Sequence, residues 1–129
     1  MATGSASYFP VTWLSPTMRS YALLALAIAA EVTGTTALKL SDGFSELGPS
    51  VVVLAGYLGS FYLLGLVLEE LPVGLVYATW AGAGIVVTAL IGVVAFDERL
   101  DAVALAGLVL VVVGVVLLNG VSDAYTPAH

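Results

Sequence analysis

Four long apolar stretches separated by short polar links make up most of this 129-residue chain. They run over residues 21–40, 49–68, 73–96 and 102–121. Each has about 20 residues or more, which is enough for a helix to cross a hydrocarbon core of about 30 Å. The stretches are continuous and lack period-two alternation, which favours helices over strands. The pattern therefore predicts an all-α protein with four transmembrane helices.

The same pattern predicts a membrane domain between two tails. Residues 1–18 carry no charged side chain and are rich in Ser, Thr and Pro, so we interpret them as a flexible or interfacial tail. The four-helix domain follows over residues 19–121, and a C-terminal tail over 122–129. Short links make sequential helices antiparallel neighbours, which predicts one compact bundle. An alternative is a signal peptide starting at Met18, but the apolar stretch continues past Glu31 and completes a span.

Composition narrows the class further. The chain is 60% hydrophobic and 9% charged, with a mean hydropathy of +1.10, whereas soluble domains carry about 25% charged residues. Its net charge of −6 comes largely from loops and tail, and no basic cluster indicates nucleic acid as a partner. The absence of cysteine excludes disulfides and thiol chemistry. We expect the lipid bilayer as the surroundings, and no cofactor or metal.

The few basic residues bear on orientation in the membrane, which follows Lys and Arg in the loops. Arg19 lies on one side of the membrane, and Lys39 and Arg99 lie on the other. One charge against two is a weak bias, so we expect the chain to insert in both orientations. The alternative is a fixed topology with the two-charge side in the cytoplasm and both termini outside.

Glu31 is the only ionisable side chain deep inside an apolar stretch. The other eight acidic residues fall between or beyond these stretches. A charge near the bilayer centre costs roughly 2.5–3.5 kcal/mol on insertion scales, so such residues commonly carry function. Burial disfavours the charged form of a carboxyl, so a proton and a cation would compete for Glu31. That competition is the minimum requirement for antiport; the alternative is a protonated Glu31 that only joins helices.

Aromatic residues form a second constellation. Tyr57 and Phe61 lie one turn apart in the second span, and Tyr77 and Trp80 share a face of the third. Aromatic faces attract organic cations by about 0.5–2 kcal/mol each. The alternative interpretations are an interfacial aromatic belt or ordinary packing.

Glycines mark two further features. Gly82 and Gly84 interrupt the third span, and we interpret them as the hinge of an alternating-access movement, with close helix packing as the alternative. Gly107 and Gly114 lie on one face of the fourth span, which has no polar side chain between Asp101 and Asn119. Small residues let helices approach closely, so this face predicts a dimer contact.

Size also indicates a dimer. A drug-sized pocket needs roughly 300–1,000 Å³, which one bundle filled by its own side chains hardly encloses. Two copies inserted in opposite orientations would form such a pocket between them and bring two Glu31 carboxylates together. This arrangement gives the inverted symmetry that other transporters build within one chain.

From about Arg19 to Asn119 the chain resembles the small multidrug resistance family of proton-coupled transporters. The resemblance rests on the order and spacing of several short motifs: Ala30-Glu31-Val-Thr-Gly34-Thr35-Thr-Ala-Leu-Lys39, Gly43-Phe44, Pro49-Ser50, Tyr57 with Ser60-Phe61, Pro72-Val-Gly74-Leu-Val-Tyr77-Ala-Thr-Trp80-Ala-Gly82-Ala-Gly84, Glu98-Arg99-Leu-Asp101, and the Gly107/Gly114 pair. The family's guanidinium exporters typically carry a tryptophan shortly after the first-helix glutamate. This chain lacks it and resembles the branch that exports quaternary ammonium compounds.

The resemblance implies a function and a site. The chain would be an antiparallel homodimer in the bacterial inner membrane, no enzyme, that exports lipophilic cations in exchange for protons. Heterodimers also occur in the family, and a guanidinium or metabolite-cation exporter or a non-transporting membrane subunit stays an alternative. By the resemblance, Glu31 is the shared proton and cation site, and the cavity is lined by Leu24, Ala27, Ile28, Gly34, Thr35, Tyr57, Ser60, Phe61, Tyr77 and Trp80.

Overall fold

The computed structural model describes residues 15–124, and this part of the chain contains four helices and no strand. They are α1 (Pro16–Leu40), α2 (Leu47–Val67), α3 (Val73–Phe96) and α4 (Ala102–Val116), which one turn of π-helix continues over Leu117–Val121. All four segments are long and apolar enough to cross a membrane. The prediction of an all-α protein with four transmembrane helices is confirmed. Most of the predicted N-terminal tail (1–14) and the end of the C-terminal tail (125–129) lie outside the described residues.

Side-chain caps explain where two of the helices begin. The Oγ of Ser15 accepts a hydrogen bond from the Met18 N–H at 3.1 Å, so α1 begins at Pro16, before the predicted start at residue 21. Proline suits this position because the first N–H groups of a helix have no partner within it. Asp101 caps α4 in the same way, accepting from the Ala104 N–H at 2.8 Å. Capping therefore extends α1 beyond the apolar stretch.

The helices do not form a symmetrical bundle. α2 lies along α1, α3 packs against α1 and α4, and α4 makes its main contact with α3. The core is a cluster of buried apolar residues from α1, α2, the following loop and α3: Leu24, Ala27, Leu64, Val67, Leu71 and Val76. Within the described chain, no residue of α4 is buried. Helix α4 therefore packs on α3 from outside the core that the other three helices form.

Glycines let α1 and α2 approach closely. A Cβ added at Gly56 would lie 2.7 Å from the Ala30 carbonyl oxygen and 3.1 Å from the Gly34 Cα. Close to this contact, the buried Ser60 hydroxyl donates to the Ala27 carbonyl at 2.7 Å. Close backbone packing and interhelical hydrogen bonds are the main forces between helices in lipid, where hydrophobic driving force is absent. The α1–α2 pair is therefore the most tightly fitted part of the fold.

Replacing Gly56 by alanine is expected to destabilise this pair by roughly 1–3 kcal/mol, because the new methyl group would meet backbone atoms that have little freedom to move. The matched control is Gly59→Ala, since among the described atoms nothing lies within 4 Å of a Cβ at Gly59. Denaturant titration of both variants in the same micelles measures the difference. Equal stability of the two variants would contradict the close contact at Gly56.

A polar triad ties the end of the last span to two other helices. Asn119, in the π-helical turn, accepts a hydrogen bond from the Tyr21 hydroxyl of α1 at 2.7 Å. Its amide nitrogen donates to the Thr79 hydroxyl of α3 at 2.8 Å and to the Val115 carbonyl at 2.9 Å. These bonds connect α1, α3 and the end of the fourth span at a single side chain.

Candidate functional site

Glu31 lies in the second half of α1 with its side chain partly buried and directed towards α3. The Oε1 atom lies beside Gly84, where an added Cβ would be 3.2 Å away. Because glycine has no side chain, the carboxyl group reaches the backbone of α3. The structure therefore places this intramembrane carboxyl between α1 and α3.

A chain of hydroxyl groups links Glu31 to α2. The Thr35 hydroxyl donates to Glu31 Oε2 at 2.6 Å, and its oxygen lies 2.8 Å from the Tyr57 hydroxyl. A hydroxyl has one hydrogen, so Tyr57 is the donor in the second bond. If Oε2 carries a proton, the direction of both bonds can reverse. The charge state of Glu31 is thus linked to the orientation of the Tyr57 hydroxyl.

An open groove of about 360 Å³ lies between Glu31 and α3. Its lining consists of Glu31 and one face of α3: Tyr77, Trp80, Ala81, Gly84, Ile85 and Thr88. The volume falls within the range of small-molecule sites, roughly 300–1,000 Å³. The groove is a surface feature of a single chain rather than an enclosed pocket.

Four aromatic rings adjoin this groove and contact one another across α2 and α3. Tyr57 stacks on Phe61, with centroids 6.4 Å apart and planes at 17°. Phe61 meets Trp80 edge-on at 6.4 Å, and Trp80 meets Tyr77 edge-on at 5.6 Å. Phe61 and Tyr77 are 57% and 63% exposed, so much of their surface is open to a ligand. The sequence-predicted aromatic residues therefore form one cluster, of which Tyr77 and Trp80 line the groove with Glu31 while Tyr57 and Phe61 lie behind them.

Trp80 carries an unused hydrogen-bond donor. Its Nε1 is buried and has no hydrogen-bond partner among residues 15–124. Buried polar groups are nearly always paired, so such an atom in a binding groove is a candidate ligand contact.

Several other predicted lining residues face the interior of the single chain. Leu24 and Ala27 are buried in the core, Ile28 packs against it, and the Ser60 hydroxyl is bound to the Ala27 carbonyl. Gly34 lies against the Tyr57 ring, where a Cβ would be 3.2 Å from two ring atoms. None of these residues lines the groove at Glu31. Their role in a cavity between two copies stays a prediction.

The glycines of α3 are accounted for by packing in the single chain. Gly82 faces α4, where an added Cβ would lie 2.5 Å from Val115 Cγ2, and Gly84 faces Glu31. Helix α3 is uninterrupted from Val73 to Phe96. The structure thus supplies the contacts of the close-packing alternative, and the hinge stays a prediction.

At Gly107 and Gly114, among the described atoms, an added Cβ would meet nothing within 4 Å, so the predicted dimer face is open.

Sequence reasoning missed three groove residues: Ala81, Ile85 and Thr88. The signal for them was present in the helical period, because they continue the face of Tyr77 along α3 at three- and four-residue steps. Gly56 was also missed, since its importance depends on which face of α1 it meets.

Comparison with known proteins identifies similar chains. The family model described as "Small Multidrug Resistance protein" matches residues 19–111. Quaternary ammonium compound-resistance protein QacE of Escherichia coli is 46% identical over 107 residues, covering 83% of this chain and 97% of that protein. Multidrug resistance protein EbrA of Bacillus subtilis (strain 168) is 50% identical over 99 residues, covering 77% and 94%. Quaternary ammonium compound-resistance protein QacF of Klebsiella aerogenes is 49% identical over 102 residues, covering 79% and 93%.

Proposed function

This chain belongs to the small multidrug resistance family, and from that premise we propose that it is a proton-coupled antiporter that exports lipophilic and quaternary ammonium cations. Family membership confirms the resemblance drawn from the sequence. It makes the chain a transporter rather than an enzyme, and a multi-pass protein of the bacterial inner membrane.

The observation that carries the proposal is the position of Glu31. Its carboxyl lies within a membrane span, in a groove that Tyr77 and Trp80 also line. An ionised carboxylate attracts an organic cation, and the ring faces of Tyr77 and Trp80 add cation–π attraction. Protonation removes the charge and with it the main attraction. Cation and proton then bind in alternation, and no covalent step is required.

We propose that two copies of the chain complete the binding cavity. The groove is open, and the face of α4 that carries Gly107 and Gly114 is uncovered in the single chain. Pairing of two chains in opposite orientations would close two half-sites around one substrate and present each carboxyl to either side of the membrane in turn. A heterodimer with a related chain would close the cavity in the same way.

The test of this function is proton release on substrate binding. Adding tetraphenylphosphonium to purified, weakly buffered protein is expected to release protons. Cells that express the protein are expected to tolerate ethidium and benzalkonium better than cells with an empty vector. Export of guanidinium without either drug would indicate the other branch of the family. Absence of proton release and of any resistance would refute antiport.

Changing single rings of the aromatic cluster is expected to weaken binding without dissolving the dimer. Trp80→Phe replaces the indole, which gives the strongest cation–π attraction, by a phenyl ring, and Tyr77→Phe removes only a hydroxyl. A loss of about 0.5–2 kcal/mol corresponds to roughly 2- to 30-fold weaker binding, or a change in preference among cations. Calorimetric titration with several aromatic cations measures both effects.

Tyr62→Phe is the matched control for these variants, because Tyr62 is 70% exposed and does not line the groove. Unchanged affinity of Trp80→Phe and Tyr77→Phe for every cation tried would favour the belt or packing interpretation of these rings.

A further inference from the structure

A second, smaller cavity lies between α1 and α3, next to the Glu31 groove. It has a volume of about 120 Å³, and its lining includes Thr35, Thr36, Lys39, Thr88, Gly92 and Glu98. Thr88 lines both this cavity and the Glu31 groove. Thr35 lines the small cavity and also donates a hydrogen bond to Glu31. The two spaces therefore adjoin at Thr88, and Thr35 connects the small cavity to the carboxyl group by a hydrogen bond.

The outer end of the small cavity is formed by an ion pair at the edge of the membrane domain. Lys39 Nζ lies 3.6 Å from Glu98 Oε2, and the two side chains are 56% and 52% exposed. The same Nζ lies 5.2 Å above the ring of Phe96. The side chains at this end are thus about half exposed, while the other end is lined by Thr35, one turn after Glu31.

The backbone directs Glu98 into this cavity. Asp97 adopts a left-handed conformation (φ 57°), and the Glu98 N–H donates to the Gly92 carbonyl at 2.9 Å. The Glu98 carboxyl group rests directly on Gly92, leaving no room for a side chain there. The carboxylate is therefore turned back along α3 rather than extended away from the protein.

Size separates what the two spaces can admit. A water molecule occupies about 30 Å³ in the liquid, so the small cavity has room for several, and threonine hydroxyls and Glu98 offer them hydrogen bonds. A drug-sized cation needs roughly 300 Å³ or more, and of these two spaces only the groove, with about 360 Å³, is that large. Among the described residues, the titratable and charged groups around this route are Glu31 and Lys39 of α1, Tyr57 of α2 and Glu98 after α3; α4 supplies none.

We propose that this small cavity is the route by which protons reach Glu31, separate from the groove that admits the organic cation. The inference rests on the proposed antiport. Thr35 and Thr88 connect water in the cavity to the carboxyl group, and the Lys39–Glu98 pair marks its opening to one side of the membrane.

The experiment measures proton arrival without substrate. The infrared carboxyl band of Glu31, identified by its loss in Glu31→Gln, is followed after a rapid drop in pH. Thr36→Leu places a larger apolar side chain in the small cavity and does not alter the groove. We expect the carboxyl band to rise about five- to tenfold more slowly, which corresponds to a barrier raised by the free energy of one hydrogen bond. Affinity for tetraphenylphosphonium is expected to stay the same.

Thr33→Leu is the matched control. Thr33 and Thr36 each donate to the carbonyl four residues earlier, at 2.8 and 2.9 Å, but Thr33 is exposed and does not line the small cavity. A second test variant, Thr88→Val, removes only a hydroxyl and is also expected to slow protonation. It decides the question if Thr36→Leu does not fold.

Two results would overturn the inference. Unchanged protonation rates in Thr36→Leu and Thr88→Val would mean that protons enter through the groove. An equal fall of cation affinity and protonation rate in Thr36→Leu would make the small cavity part of the cation site. A wild-type protein that releases no proton on binding tetraphenylphosphonium would refute the proposed function instead, and the substrate-free measurement separates that failure from this one.

Discussion

Replacing Glu31 by glutamine is expected to abolish cation export and proton release together. In the wild type, the Thr35 hydroxyl lies 2.6 Å from Glu31 Oε2 and donates to it. Glutamine has nearly the same shape and keeps an oxygen that accepts this hydrogen bond, but it carries no charge and no exchangeable acidic proton. The attraction between two unit charges 4 Å apart is about 1 kcal/mol in water and about 4 kcal/mol near a protein surface, so cation affinity is expected to fall by roughly 5- to 1,000-fold. The remaining affinity would come from the aromatic rings and would no longer respond to protons.

Aspartate at the same position tests geometry rather than charge. Its carboxyl is withdrawn by one methylene, away from Gly84 and out of reach of the present Thr35 contact. We expect cation binding to persist and its dependence on pH to move.

Glu69→Gln makes the same chemical change in an exposed loop and is the control for both variants. Export is measured as dye efflux from cells, and proton release in detergent with tetraphenylphosphonium. Wild-type export by Glu31→Gln would show that this carboxyl is not the coupling site.

Gly114→Leu and Gly107→Leu are expected to leave the single chain folded but to prevent its pairing. Among the described atoms, an added Cβ at either glycine meets nothing within 4 Å, so the single chain has room for the larger side chain. A partner helix packed against this face would be held apart, and association in lipid depends on such close packing. Because the proposed cavity exists only between two chains, cation binding is expected to fall in parallel with dimer formation.

Val109→Phe is a suitable control, since Val109 is 59% exposed and lies roughly half a turn around α4 from both glycines. Cross-linking in membranes reports the dimer, and a parallel titration with tetraphenylphosphonium reports the cavity. Full binding by a monomeric variant would place the complete pocket within one chain and contradict the two-copy proposal.

The sequence predicted the helices well where composition and local chemistry agree. Helix α3 has the predicted bounds because Pro72 and Asp97 limit the apolar stretch on both sides. Helix α1 begins earlier than predicted because Ser15 caps it, and capping adds turns that hydropathy does not register. The pairs Tyr57–Phe61 and Tyr77–Trp80 follow from helical spacing alone.

What the sequence could not predict are the faces that helices present to one another. Leu24 and Ala27 share the spacing of Glu31, yet they turn towards α2 and the core while Glu31 turns towards α3. The contact between Phe61 and Trp80 depends on how α2 and α3 are placed around α1. The return of Glu98 onto Gly92 depends on the left-handed backbone at Asp97. Each of these contacts depends on tertiary structure, which helical periodicity and composition do not determine.

Asn119 has a consequence for how deeply the fourth span sits in the membrane. The packing face of α4 is apolar, and apolar surfaces in lipid differ little in energy when one helix slides along another. The Asn119 amide, bonded to Tyr21, Thr79 and Val115, is satisfied at one height only. A slide by one helical turn, about 5.4 Å, would leave it unpaired in hydrocarbon. Together with the contact of Val115 at Gly82, this side chain therefore sets the register of α4, and with it the level at which Gly107 and Gly114 face a second chain.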